Sequence, residues 1–375
     1  MDRVTIAVYD ERGEAWAAAR RPVRAAAARR FRRRVRTGGV RADLGAGAGR
    51  YTADLGRPVV ALDASATMLG LLGRLAPRAW RVRGDLEALP LRRRALAGAW
   101  ANMSYLHVPR PRLPLALAEL HWAMEPDAPY DIQVAAGDED LATRQDDDVP
   151  GRRFAGWSPE RLADALIGAG LDVQSLERDG GVVRAAGTRL RSLPDTVGPG
   201  MRVLVCGLNP SEYAADRGVG FARRSNRFWP CAVEAGLVSV PFDARLSLVR
   251  DGVGMTDLVK RATPASSALA AAEYRAGAAR VERLVRWLRP RVVCFVGLEG
   301  WRAAVDRRAV AGWQQGGFGG RRAYLMPSTT GRNAGASRAA LVDHLRTVVD
   351  SCRGIGPRNG PIPNPKRRRT PSSTS

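Results

Sequence analysis

Val203-Leu204-Val205-Cys206-Gly207-Leu208-Asn209-Pro210-Ser211 is an apolar run that breaks off into a Gly/Asn/Pro/Ser loop. The apolar part reads as a buried strand, and the polar punctuation reads as the turn at its carboxyl end. Ala323-Tyr324-Leu325 leads in the same way into Met326-Pro327-Ser328-Thr329-Thr330-Gly331-Arg332-Asn333. Two strands that each end in a polar loop predict one cleft built by two loops. Open α/β sheets form their ligand sites at the carboxyl ends of strands.

Upstream of this pair, residues 1–36 read as helical, rich in Ala, Arg and Glu. Short apolar runs then alternate with helical segments: Arg41–Leu44, Val59–Leu62, Trp80–Val82, Ala97–Trp100 and Tyr130–Val134. That rhythm predicts a first, mostly parallel sheet. Ser158 followed by Pro159 predicts a helix start, with Ser158 as the cap. Ser192-Leu193-Pro194-Asp195-Thr196-Val197-Gly198-Pro199-Gly200 marks a break, and a second α/β pattern runs from Met201 to about residue 350. Residues 354–375 are rich in Pro, Arg, Ser and Gly and are expected to be disordered. The expected division is 1–192, 200–352 and a basic tail, 353–375.

The chain of 375 residues is 45% hydrophobic, enough to bury two cores, and carries a net charge of +23. Lys260 and Lys366 are its only lysines; arginine supplies the rest. Arg29, Arg30, Arg32, Arg33, Arg34 and Arg36 form one cluster, and Lys366, Arg367, Arg368 and Arg369 another. Such clusters fit a phosphate-binding surface, and equally a composition rich in arginine throughout. The four cysteines have no CxxC spacing, and His107, His121 and His344 are scattered, so neither an iron–sulfur nor a zinc site is expected. Cys206 and Cys294 stand in apolar runs and are expected to pack as small hydrophobes. No stretch nears the roughly 20 apolar residues of a membrane span. The expectation is a cytoplasmic, nucleoid-associated monomer.

In the first half, Asp43-Leu44-Gly45-Ala46-Gly47-Ala48-Gly49 follows a strand and leads into a helical segment. Glycines allow a tight turn and close approach of a ligand. Asp63 ends the second strand about twenty residues later, where an acid suits a ribose hydroxyl. Gly84-Asp85-Leu86 follows the third, where an acid can reach an adenine amino group. A dinucleotide-binding domain is the alternative, against which the GAGAG order stands. Together these features resemble the class I S-adenosylmethionine-dependent methyltransferases, over about residues 1–190. The resemblance implies a Rossmann-like methyltransferase sheet that binds S-adenosyl-L-methionine through Asp43, Gly45, Gly47, Asp63, Asp85 and Leu86. The acceptor stays open: Ala101-Asn102-Met103-Ser104-Tyr105 replaces an Asp/Asn-Pro-Pro-Tyr loop, and residues 1–190 contain no cysteine nucleophile.

In the second half, Gly207-Leu208-Asn209-Pro210 is followed by Gly218-Val219-Gly220-Phe221-Ala222 and Ser225-Asn226-Arg227-Phe228-Trp229. Next come the segment Gly254-Met255-Thr256-Asp257-Leu258-Val259-Lys260-Arg261-Ala262-Thr263-Pro264 and the Met326–Arg332 loop. This ordered set resembles the mismatch-specific uracil/thymine-DNA glycosylases of the uracil-DNA glycosylase superfamily, over about residues 200–350. The expected fold class is therefore two three-layer α/β/α domains, the second with a parallel glycosylase-like sheet.

That resemblance implies hydrolysis of the N-glycosidic bond of uracil flipped from G·U-type mispairs in double-stranded DNA, without a cofactor. Asn209 and Thr256 are the expected water-positioning residues. Leu208, Phe221 and Asn226 are expected to line the base pocket, and Ser328, Thr329, Thr330 and Arg332 to contact DNA. Asn209 has an amide oxygen that accepts a hydrogen bond from water but is no base. Met326 stands where some relatives have a histidine, so leaving-group stabilisation is expected from backbone N–H donors. Both departures predict a slow enzyme that depends on easily flipped bases. Ser211-Glu212 replaces a Gly-Leu pair, and Asp257 stands where a relative has asparagine. The competing expectation is a methyltransferase whose second half only binds nucleic acid.

Overall fold

The computed structural model describes residues 1–145, 147–331, 333 and 335–353. Asp146, Arg332, Ala334 and the tail 354–375, with its basic run and expected disorder, lie outside the described residues.

Helices α1 (Arg3–Ala19) and α2 (Ala25–Arg34) precede the first sheet. Asp2 caps α1 by accepting from the Thr5 N–H and hydroxyl. Strands β1 (Arg41–Leu44), β2 (Val59–Asp63), β3 (Trp80–Arg83), β4 (Gly98–Asn102), β5 (Pro129–Ala135), β6 (Ser175–Asp179) and β7 (Val182–Thr188) form one sheet in the order β3-β2-β1-β4-β5-β7-β6. The first five run parallel, and β7 enters antiparallel between β5 and β6. Strands β1, β2 and β4 are buried along nearly their whole length, as parallel strands covered on both faces must be. Helices α3 (Ala66–Leu75), α4 (Leu113–Ala123) and α5 (Pro159–Gly168) are the crossovers and cover. Ser158 caps α5 through the Arg161 N–H, as its sequence predicts.

The second sheet contains β8 (Val203–Gly207), β9 (Val253–Asp257), β10 (Val292–Val296), β11 (Gly312–Phe318) and β12 (Arg321–Met326) in the order β11-β12-β10-β8-β9. Four strands are parallel, as expected of this sheet, and β11 joins as an antiparallel edge. The Gly319-Gly320 turn, with φ of +58° and +74°, makes that hairpin cheap. Helices α6 (Glu212–Arg217), α7 (Phe228–Glu234), α8 (Ala244–Asp251), α9 (Ala271–Leu288), α10 (Glu299–Ala304) and α11 (Arg338–Arg353) flank it. Cys206 and Cys294 are buried in their strands, as expected, and Phe228 and Trp229 are wholly buried core. The two sheets are the expected pair of α/β units, mostly parallel, the first in the Rossmann-like methyltransferase strand order.

Each sheet reverses its winding once, between β1 and β4 and between β8 and β10, and a crevice opens at the carboxyl ends beside each reversal. The units touch through Trp157 against Trp287, at 5.9 Å between ring centroids, and through an Asp164–Arg283 ion pair at 2.6 Å. Helix α9 sits close on the end of β9 because Gly277 has no side chain: a methyl there would overlap the Leu258 carbonyl oxygen. Gly277→Ala is therefore expected to destabilise the protein by about 1–3 kcal/mol. The midpoint of urea unfolding measures this; an unchanged midpoint would contradict it.

Candidate functional site

At the carboxyl edge of the second sheet lies a cleft of about 370 Å³. The loop after β8 supplies Leu208 and Asn209, the end of β9 Asp257, the segment after α6 Phe221 and Asn226, and the loop after β12 Ser328, Thr329 and Thr330. All of these but Asp257 were expected at the site, and the fold brings them together with it.

The side chain of Asn209 is fixed from behind. Its Nδ2 donates to the carbonyls of Pro210 (3.2 Å) and Arg261 (3.0 Å) and to Thr263 Oγ1 (2.8 Å). Three acceptors around one nitrogen settle the orientation of the carboxamide, and no described residue donates to its Oδ1. Phe221 holds φ of +56°, a left-handed conformation that a bulky residue adopts only when its surroundings impose it. Its ring stacks on Phe228 at 4.2 Å and 24°, with the cleft beside it. Asn226 Oδ1 accepts from the Phe228 N–H (3.0 Å) and from Thr329 Oγ1 (2.9 Å), which ties the start of α7 to the loop after β12.

Two expectations need correction, and a third is not addressed by the described residues. Thr256 does not line the cleft. Its hydroxyl donates to Asp195 Oδ1 at 2.6 Å inside the protein, because successive residues of β9 point to opposite faces. Asp257, the next residue and the register partner of Gly207, faces the cleft instead. It packs so closely that a side chain on Gly207 would overlap its Oδ1. Burial pushes the Asp257 carboxyl up to about 6, with Lys260 opposing. Thr329 is buried and its hydroxyl is taken by Asn226, so it is not a phosphate contact. Arg332 lies outside the described residues.

In the first unit a cavity of about 710 Å³ opens at the β1/β4 reversal. Asp43, Gly45, Gly47, Asp63, Ser65, Met68 and Asn102 line one end, and α1 covers it with Tyr9 and Trp16. Gly45 has φ of +66° and lies so close to Ser104 that any side chain would clash. Asp63 accepts from the N–H groups of Gly47 (2.8 Å) and Ser65 (2.9 Å), which ties the tip of β2 to the glycine loop. Burial pushes the Asp43 carboxyl up to about 7, although Thr52 donates to it at 2.6 Å.

Asp85 and Leu86 are not among the lining residues. The Asp85 carboxylate is bound by the Met1 amine at 2.7 and 2.8 Å, and the Asp85–Ala88 bridge turns Leu86 into the core. The cavity lining also holds a group that sequence reading missed. His107 Nδ1 meets the Arg153 carbonyl at 2.8 Å, so Nδ1 carries the proton and Nε2 accepts from Tyr9 Oη at 3.2 Å. Arg152 donates to the same Tyr9 oxygen at 3.0 Å. Burial pushes His107 down to about 4, which keeps it neutral. The three are distant in sequence, and no local pattern joins them. Among the described residues, no group of three or more His, Cys, Asp or Glu side chains could hold a metal ion, and no helix is long and apolar enough to cross a membrane.

Residues 194–349 match the family model of the Uracil DNA glycosylase superfamily, and they carry every element of the cleft except Leu193. The second half of the chain is a uracil-DNA glycosylase superfamily domain. Residues 42–127 match a methyltransferase domain, so both domains are present in one chain. Among solved structures, the DhpI–SAH complex is 22% identical, covers 51% of this chain and 99% of its own, and has a TM-score of 0.41. The 1,6-didemethyltoxoflavin-N1-methyltransferase of Burkholderia thailandensis, with S-adenosylhomocysteine bound, is 21% identical over 49% of this chain and 85% of its own, with a TM-score of 0.39. The glycopeptide N-methyltransferase MtfA, complexed with S-adenosyl-L-methionine, is 21% identical over 44% and 93%, with a TM-score of 0.36. Strand order, not these likenesses, carries the fold of the first domain.

Proposed function

We propose that the glycosylase domain hydrolyses the N-glycosidic bond of uracil flipped out of G·U-type mispairs in double-stranded DNA. The observation that carries this is the Asn209 carboxamide, held by its nitrogen so that Oδ1 is left for a water in the cleft beside Phe221. The flipped base stacks on Phe221, worth about 1–3 kcal/mol. Asn209 orients the water, and Asp257 takes the place first given to Thr256. As the C1′–N1 bond breaks, its electron pair goes to uracil. The water oxygen bonds to C1′, and Asp257 takes the water's proton. Lys260 is buried against Asp195 at 2.8 Å, so among the described residues no lysine amine is offered to the cleft for Schiff-base chemistry, and an abasic site is the product proposed. Ser328 and Thr330 contact the DNA backbone, joined by Arg332. Alkali treatment of an end-labelled G·U duplex after incubation with the full chain tests this: cleavage at uracil is expected, and alkali-stable DNA would refute it.

The Asp257 role has its own test. Protonated Asp257 cannot accept a proton, so uracil release should fall as pH drops through about 6, roughly tenfold per unit below it. Single-turnover rates between about pH 5 and 8 measure this; a level profile would remove Asp257 from the reaction.

The first domain is proposed to bind S-adenosyl-L-methionine. The residues fit one end of it: Asp63, ordered by two backbone N–H groups beside a glycine turn that admits no side chain, suits ribose hydroxyls. Bound there, the cofactor supplies an electrophilic methyl group. Neutral His107 accepts from Tyr9 and, with Arg152, fixes the Tyr9 hydroxyl in the cavity lining, where it can orient a polar group of the methyl acceptor. The chain acts as a cytoplasmic, nucleoid-associated monomer.

A further inference from the structure

At the floor of the glycosylase cleft lies a group of four charges drawn from four parts of the chain, three of them buried and the fourth, Asp257, half-buried at the cleft. Asp195 comes from the segment joining the two domains, Asp257 from the end of β9, Lys260 from the loop after it, and Arg280 from α9. Asp195 Oδ1 accepts from Lys260 Nζ at 2.8 Å and from Thr256 Oγ1 at 2.6 Å; its Oδ2 accepts from Arg280 Nη1 at 2.7 Å. Arg280 Nη2 reaches back to the Asp257 backbone carbonyl at 2.9 Å. Burial alone would raise the Asp195 carboxyl, yet Arg280 and Lys260 hold it below its ordinary range. Asp195 is therefore a permanent anion, and with two cations beside it the group is left one negative charge short. Ionised Asp257 supplies that charge. Buried charges are tolerated when they are paired, so the set is balanced only with Asp257 as carboxylate.

The joining segment does more than cross between domains. Leu193 lines the cleft itself. Ser192 Oγ donates to the Lys260 carbonyl, the Asp195 N–H donates to the Gly168 carbonyl at the end of α5 (2.7 Å), and Thr196 pairs with Met255 in β9. One end of this strap is thus anchored on the methyltransferase domain, and the other is stitched to the strand that carries Asp257.

We propose that Asp195 is a positioning residue of the glycosylase site: it fixes Lys260 and Arg280 beneath Asp257, so that the strap between the domains completes the base-excision site and sets the charge of its carboxylate. This rests on the glycosylase reading above. The groups that face Asp257 are Lys260, Asp195 and Arg280. Cys206 of β8 lies close too, but burial pushes its thiol well up and leaves it neutral.

The charges act on Asp257 in opposite senses, and that separates positioning from mere support. Lys260→Met keeps the Asp195–Arg280 pair but removes the cation that most favours ionised Asp257. The acid limb of uracil release should move up by about one pH unit. Asp195→Asn removes the anion that opposes ionisation while its remaining amide oxygen can still accept from Lys260, the cation with the larger effect, and the limb should move down. A loss of packing lowers the rate at every pH and moves neither limb. The carboxyl carbon of Asp257, followed by 13C NMR in the full chain labelled at aspartate, should show the same displacement without DNA. An Asp257 titration that stays in place in Lys260→Met, the variant that retains an ion pair and so the fold, would overturn the proposal. Absence of uracil release by the wild-type chain, with the NMR shift intact, would instead overturn the glycosylase reading and leave the charge balance standing.

Discussion

Asn209→Ala is expected to lower single-turnover uracil release from a G·U duplex about 100-fold, while duplex binding stays near the wild-type level. In the proposed reaction the side chain orients the attacking water and does not hold the DNA backbone, so it acts on the chemical step. An error of about 1 Å in the position of a nucleophile is enough for a loss of that size. Asn209→Asp is expected not to rescue the rate. The Nδ2 position faces the carbonyl oxygens of Pro210 and Arg261, and a carboxylate oxygen placed there would be repelled by both. The environment thus selects an amide, which explains why the loop carries asparagine rather than a base. Equal rates for wild type and Asn209→Ala would place the reacting water elsewhere.

Asp63→Ala is expected to weaken binding of S-adenosylhomocysteine about 10- to 100-fold. Hydrogen bonds to a charged group are worth about 1.5–3 kcal/mol each. The substitution also releases the Gly47 and Ser65 N–H groups that order the glycine loop. Isothermal titration of the full chain measures the loss, with far-UV circular dichroism as the check on folding. Unchanged affinity would mean that the ribose lies elsewhere in the cavity. Asp85→Ala should have the smaller effect, because Asp85 is not among the lining residues and its carboxylate is already engaged by the Met1 amine.

The legible parts of this protein were those written locally in the chain. Strand ends followed by Gly, Asn, Pro or Ser located both crevices, since a strand and its loop are continuous in sequence. The GAGAG turn and Asp63 fall into place for the same reason. Thr256 failed because β9 is buried on both faces, with no alternation of polar and apolar residues to show which side chains face the cleft. Its register against β8, which sets Asp257 opposite Gly207, is a tertiary fact. Asp85 failed because its partner is 84 residues away. Nor could any local pattern assemble Tyr9, His107 and Arg152, or draw Asp195 of the joining segment into the floor of a site in the next domain. Ion pairs and hydrogen bonds between distant segments appear only once the chain is folded.

The account predicts a slow, selective hydrolase, since it has an amide at position 209 and a buried Met326 in the second loop. Extruding a base costs less at a mispair than in a matched pair, so selectivity should come from the helix being opened as well as from the pocket. The direct measurement is free uracil released by the full chain from otherwise identical G·U and A·U duplexes under single-turnover conditions. Release from G·U that exceeds release from A·U, and that is lost in Asn209→Ala, is the predicted result. No uracil from either duplex would contradict the account at its centre.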